Sequence, residues 1–315
     1  MTPRPEIRGL SFTDILGVTT GLVRTHLRAL VALAAIFLVP AYLIGAPAEL
    51  RLSDLAPALP NQDQLDHATS AQMDALVQTI LLYLGVWALD LVAGTLASVA
   101  ICRLIADRYA GRASSVGGAV GWAIRRAPTA LGTVLLDTLG VAGIGLGGAT
   151  LATFLFVALG SSGSSGGIGA FLALVVGVAF VGLLITVAIR WTLAMVAVAL
   201  EPVGPLHALV RSWRLTERVG WRLISIILVT QFFEGLVGLV AGSIVLAITG
   251  VATSGPTPTS VLLLGLLASG SASVLVAPIT PVALTILYVD VRRRREGYEP
   301  TGPLAEPNDE PDTTT

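Results

Sequence analysis

The chain contains no lysine, a single cysteine and three histidines, and only 12% of its 315 residues are charged. Each shortage excludes something. Without lysine there is no Walker A phosphate loop, which needs a lysine to reach the phosphates. With Cys102 alone, neither an intramolecular disulfide nor a cysteine-rich metal site can form, and its apolar surroundings make it a small packing residue. His26, His67 and His207 stand apart from cysteines and from acids at metal-ligand spacing, so no metal and no other cofactor is expected. No G-x-S-x-G elbow with triad partners is present. The run Gly140 to Gly148 fits a G-x-G-x-x-G loop only loosely and lies inside an apolar stretch, which makes it packing. A net charge of −1 offers no general attraction for nucleic acid.

The low charge also decides the solvent. Soluble domains carry about 25% charged residues, and half that proportion cannot clothe a water-soluble globule. Here 54% of residues are apolar and the mean hydropathy is +0.82, so part of the surface must face lipid. A bilayer core of about 30 Å takes about 20 apolar residues in helix. Six stretches qualify: 27–46, 75–102, 130–159, 168–190, 222–249 and 261–288. The fold class is therefore all-α, a polytopic helical bundle. The apolar stretch 191–200 is too short to span; it either continues the fourth helix or lies at the interface. Ala46-Pro47-Ala48 mimics a signal-peptide cleavage site, but the long preceding region with Glu6 and Asp14 favours an uncleaved anchor.

Charge placement orients the spans. Every arginine except Arg51 falls before the first span, between spans two and three, between spans four and five, or after the sixth. Arg51 shares its loop, 47–74, with Glu49, Asp54, Asp63, Asp66 and Asp74, and the other two loops on that side are uncharged. This positive-inside asymmetry places both termini in the cytoplasm of a cell-membrane protein. The expected organisation is a cytoplasmic N-terminus over 1–26, a transmembrane domain over 27–290 and a disordered acidic tail over 291–315.

Three times the chain repeats one order: an arginine-bearing amphipathic segment, a span outward, an arginine-poor loop and a returning span. The segments cover 11–26, 114–126 and 205–218, and the first two returning spans end alike, in Val99 to Arg103 (VAICR) and Val187 to Arg190 (VAIR). The spacing of roughly 90–100 residues fits three parallel repeats, although any three arginine-ended hairpins share the pattern. The segments should lie at the interface, with Trp122, Trp213 and Trp221 at headgroup depth.

Ionisable groups at membrane depth are costly, so each is a functional hypothesis. Asp90 precedes Arg103 by 13 residues, Asp137 follows Arg126 by 11 and Glu234 follows Arg222 by 12. At 1.5 Å per residue all three lie about 16–20 Å from the inner boundary. They are candidates for lining one cavity, with Gln231 beside Glu234 and Arg190 as the best counter-ion. Asp137 shares a helical face with Gly140, Ile144 and Gly148, and Glu234 shares one with Gly238 and Ala241. Gly143-xxx-Gly147 and Gly238-xxx-Gly242 add small-residue spacing for close helix approach. Equally, each acid can simply hydrogen-bond a neighbouring helix, and Arg190 can snorkel at the boundary. Pro278 and Pro281 should kink the last span.

Four passages, 11–40, 101–128, 189–224 and 281–297, together resemble the membrane-domain family of glycerophosphoryl diester phosphodiesterases. The most specific is the order RW-x-LA, LE-x-x-GP and AL-x-RSWRL between Arg190 and Leu215. The resemblance implies a polytopic helical module that can accompany a catalytic barrel. The histidine and acid motifs of that barrel have no counterpart in this sequence. The expectation is a non-enzymatic membrane module, a scaffold or accessory. Its partners would be membrane lipids, other membrane proteins or a second copy of the chain. The alternative is a small-solute or lipid transporter that uses the midplane acids.

Overall fold

The structure, a computed structural model, describes residues 10–55, 59, 69–160, 166–217, 219–249 and 259–297. Among them are nine helices and no strand: α1 (Phe12–Leu55), α2 (Ser70–Tyr109), α3 (Val116–Gly160), α4 (Gly166–Trp191), α5 (Ala194–Leu200), α6 (Pro205–Thr216), α7 (Gly220–Thr249), α8 (Thr259–Val276) and α9 (Ile279–Glu296). Six helical stretches are long and apolar enough to cross a membrane, so the chain is a multi-pass, all-α membrane protein. His67, Arg218, most of the loops opposite the arginines and the tail beyond Gly297 lie outside the described residues.

Local signals explain the helix ends. Thr69 caps α2 through a reciprocal box: its hydroxyl accepts from the Gln72 amide at 3.3 Å, and the Gln72 side chain accepts from the Thr69 amide at 2.9 Å. Gly111 ends α2 at a φ of +70°, a conformation that costs any other residue strain. Pro205 opens α6, where a missing amide hydrogen does no harm. The expected kink in the last span is a full break between α8 and α9, at Ala277 and Pro278. Pro281 then falls in the first turn of α9, where it is tolerated.

The first amphipathic segment, 11–26, is set off from the rest of α1 by a kink at His26 (φ −114°, ψ 16°), where the sequence pattern ends it, whereas 114–126 differs from expectation and runs into α3 without interruption. Only the third is a separate helix, α6. The stretch 191–200 also differs. After a turn at Thr192 and Leu193 it forms α5, in which every residue but Met195 is buried, so it lies in the core and not at a lipid interface.

Burial is concentrated at the arginine-rich end. The main core joins Ile15, Leu30 and Leu33 of α1, Val99 to Ala106 of α2, α5, and Val282 to Tyr288 of α9. Of the most apolar stretch of the sixth span 67% is buried, against 6% in the third and fourth spans, which makes α9 the central post and α3–α4 the periphery. The far halves of α3, α4 and α7 expose Leu139, Phe154, Phe171, Val178 and Leu239. Such a surface is viable only in lipid or against a partner.

In lipid the helices gain nothing by hiding apolar side chains from the solvent, so close packing and polar pairs must hold them. Two of the three junctions between hairpins use an arginine stacked on a tryptophan. Arg103, in the last two turns of α2, stacks over Trp122 of α3 at 4.5 Å, and Arg190, at the end of α4, stacks over Trp213 of α6 at 5.2 Å. At the third junction Asp290 of α9 accepts from the Leu10 amide at 3.2 Å, and Arg294 donates to the Leu10 carbonyl at 3.0 Å. Each returning helix thus grips the start of a following hairpin, and the third grip closes a ring onto the first.

Candidate functional site

The acids at membrane depth attend three different seams. Asp90 of α2 is exposed to a furrow between α1, α2 and α8 that contains neither Asp137 nor Glu234. Asp137 is half-buried on the face of α3 that packs on α4, because Gly140 and Gly148 of that face meet Trp191 and Phe180. A β-carbon at those glycines would lie 2.6 and 2.5 Å from the ring atoms, so only glycine permits the approach. Glu234 of α7 accepts from the Thr280 hydroxyl of α9 at 2.8 Å and from the Gln231 amide at 2.9 Å. Of the residues singled out from sequence, only Gln231 and Glu234 touch.

Arg190 does not serve as their counter-ion. Its guanidinium stacks on Trp213 and donates to the Trp213 carbonyl at 3.3 Å, while its own carbonyl accepts from Ser212 at 2.6 Å. Depth is not the reason, since the contact of Phe180 with Gly148 sets Arg190 about level with Asp137 in the antiparallel α3–α4 pair; the guanidinium is instead taken up by α6. The expected glycine contacts also move. Gly143, Gly147, Gly238 and Gly242 have no atom within 4 Å of a notional β-carbon, so neither G-x-x-x-G pair is a seam within the chain. Trp122 is corrected too. Its Nε1 donates to the Ala199 carbonyl at 2.9 Å, which turns the ring into the protein and away from headgroups.

The densest polar arrangement was not anticipated. Glu201, just beyond α5, accepts from the Tyr288 hydroxyl and pairs with Arg211 of α6 and with Arg292 of α9 at 3.3 Å. Glu296 closes the other side, accepting from Arg211 and Arg292 at 2.9 Å each. Burial alone would lower the Arg211 pKa, but the hydrogen bonds and charges of Glu296 and Glu201 outweigh it and hold that pKa above its ordinary value. The one sequence signal was Glu201 itself, an acid that ends ten consecutive mostly apolar residues. Its partners lie 10 to 91 residues away and carry no local mark.

Two smaller clusters follow the same rule. Asp107 accepts from Arg103 and Arg112 at 3.1 Å each, and Asp290 pairs with Arg294 at 2.5 Å. The oxygens of these carboxylates are taken up by guanidinium groups on neighbouring turns and helices, so the clusters suit cross-linking. Among the described residues no three His, Cys, Asp or Glu side chains stand together as a metal site. Neither a protein-family model, a curated protein nor a solved structure matches this chain.

Proposed function

We propose that the chain is a non-enzymatic module of the cell membrane, with both termini cytoplasmic, that works as a scaffold or accessory to lipids or partner membrane proteins. The observation that carries this reading is the division of labour between the two ends. At the arginine-rich end Asp107, Glu201, Asp290 and Glu296 are taken up in ion pairs that staple the ring together. Arg24, Arg28, Arg125, Arg126, Arg214 and Arg222 have no carboxylate partner among the described residues, and they face the depth where anionic headgroups lie. At the other end the apolar faces of α3, α4 and α7 stand open. A rigid, cationic base with an open apolar crown fits contact with lipids and other helices, not turnover.

The resemblance to the phosphodiesterase membrane-domain family supports the same reading, since that module is distinct from the catalytic barrel. Transport through one path lined by three acids is the weaker reading, because Asp90, Asp137 and Glu234 attend separate seams.

The test is purification in native lipid discs, with bound lipids and co-purifying proteins identified by mass spectrometry. Enrichment of anionic lipid, reduced when Arg125 and Arg126 are both replaced by Gln, is the expected result. Turnover of a glycerophosphodiester by the purified protein, or solute flux in proteoliposomes, would overturn the reading.

A further inference from the structure

The furrow beside Asp90 is built for more than lipid contact. It encloses about 350 Å³, within the range of about 300–1,000 Å³ usual for small-molecule sites. Its walls are mostly apolar, with Tyr42 and Val86 among them, and the carboxylates of Asp90 and Glu49 lie on its lining with Ser269 and Ser273. A second recess of about 290 Å³ adjoins it, sharing Tyr42, Leu43, Leu266, Leu267 and Gly270, and adding Val39, Ser271 and Val274 but no acid. The space exists because Gly270 backs the Tyr42 ring: a β-carbon there would stand 3.3 Å from it. One continuous furrow therefore has an acidic compartment and an apolar one.

Charge decides the occupant. Among the described residues neither Asp90 nor Glu49 has an ion-pair or side-chain hydrogen-bond partner. Arg51 lies in a different recess, with Asp54 and Gln78. Counted along α2 from Arg103, Asp90 is about 20 Å from the arginine-rich end, where a lone carboxylate is costly without a compensating proton or cation. A bare metal ion is not favoured, because among the described residues no three His, Cys, Asp or Glu side chains stand together here or elsewhere. A phospholipid would bring its phosphate against both acids.

We propose that this furrow binds a single-chain amphiphilic cation, with an ammonium head on Asp90 and Glu49 and an alkyl tail past Tyr42 along Leu266 and Leu267. The site stands independently of the scaffold reading.

The test uses the full chain in discs of zwitterionic lipid and a dodecylammonium probe carrying a photoreactive diazirine in its chain, with labelled peptides mapped by mass spectrometry. Labelling is expected on Val39–Glu49 of α1 and Leu263–Val274 of α8. Unlabelled dodecylammonium should compete, whereas dodecanol and lysophosphatidylcholine should not. Asp90→Asn combined with Glu49→Gln should weaken labelling at least tenfold. Gly270→Leu fills the furrow without touching either acid, and should abolish labelling in a protein that still folds. Equal competition by dodecanol or by the lysolipid, labelling mapped elsewhere, or a folded Gly270→Leu protein labelled like wild type would each overturn the proposal.

Discussion

The Arg103 guanidinium lies 4.5 Å from the centre of the Trp122 ring, between the end of one hairpin and the start of the next. Arg125 and Arg126 approach the same ring at 5.9 and 5.2 Å, so one indole faces three cations while Asp107 neutralises Arg103. Arg190 and Trp213 repeat the relationship one hairpin later. The two pairs do corresponding work at successive junctions.

Removing the indole should therefore open a junction. Trp122→Leu loses the stacking and the hydrogen bond to Ala199, together about 1–3 kcal/mol. Trp213→Leu should cost less, because Trp213 is more exposed. Unfolding of both variants in lipid discs, followed by intrinsic fluorescence, checks the order; equal midpoints would contradict it.

The Glu201 network offers a second test. Glu201→Gln leaves Arg211 and Arg292 with Glu296 as their remaining carboxylate partner, at a cost of about 1.5–3 kcal/mol. Tyr288→Phe removes only a hydroxyl and should cost about 1–2 kcal/mol. Denaturant titration of the two proteins side by side separates the charge from the hydrogen bond.

Glycines divide into two classes. Gly148→Ala places a β-carbon about 2.5 Å from Phe180 and should destabilise the α3–α4 hairpin by about 1–3 kcal/mol. Gly143→Ala and Gly238→Ala meet nothing and should be neutral or slightly stabilising through helix propensity. If the open glycines instead face a second copy of the chain, these two substitutions will shift the oligomeric state in light scattering while leaving the monomer's unfolding unchanged.

Glu234 tests structural against transport roles. Glu234→Gln keeps an acceptor for Thr280 and should unfold like wild type, whereas Glu234→Leu should lose about 1 kcal/mol. A folded Gln variant that abolishes a cellular phenotype would argue for proton or solute transport in place of the scaffold.

Orientation is open to chemical labelling. In a Cys102→Ser background, Ser70→Cys should react with an impermeant maleimide on intact cells, and Glu217→Cys only after permeabilisation, since the two exposed positions lie at opposite ends. The reverse pattern would invert the topology.

The sequence by itself determined the solvent, the six spans, their arginine asymmetry and the interruption of the last span by its prolines. These follow from composition and local chemistry, because many apolar runs of about 20 residues with too little charged surface to cover them call for lipid, and a proline lacks its amide hydrogen in any fold. The pairing of Gln231 with Glu234 was legible for the same reason: three residues apart on a helix are neighbours. Only the tertiary structure decided that Asp90, Asp137 and Glu234 stand at separate seams, that Trp122 turns inward, and that Glu201 gathers Tyr288, Arg211 and Arg292. Equal depth says nothing about azimuth, and helical phase tells which residues share a face, not which helix that face meets. The glycine seams show the limit most plainly. Six glycines had suitable spacing on paper, yet Gly140 and Gly148 alone among them meet a neighbouring ring.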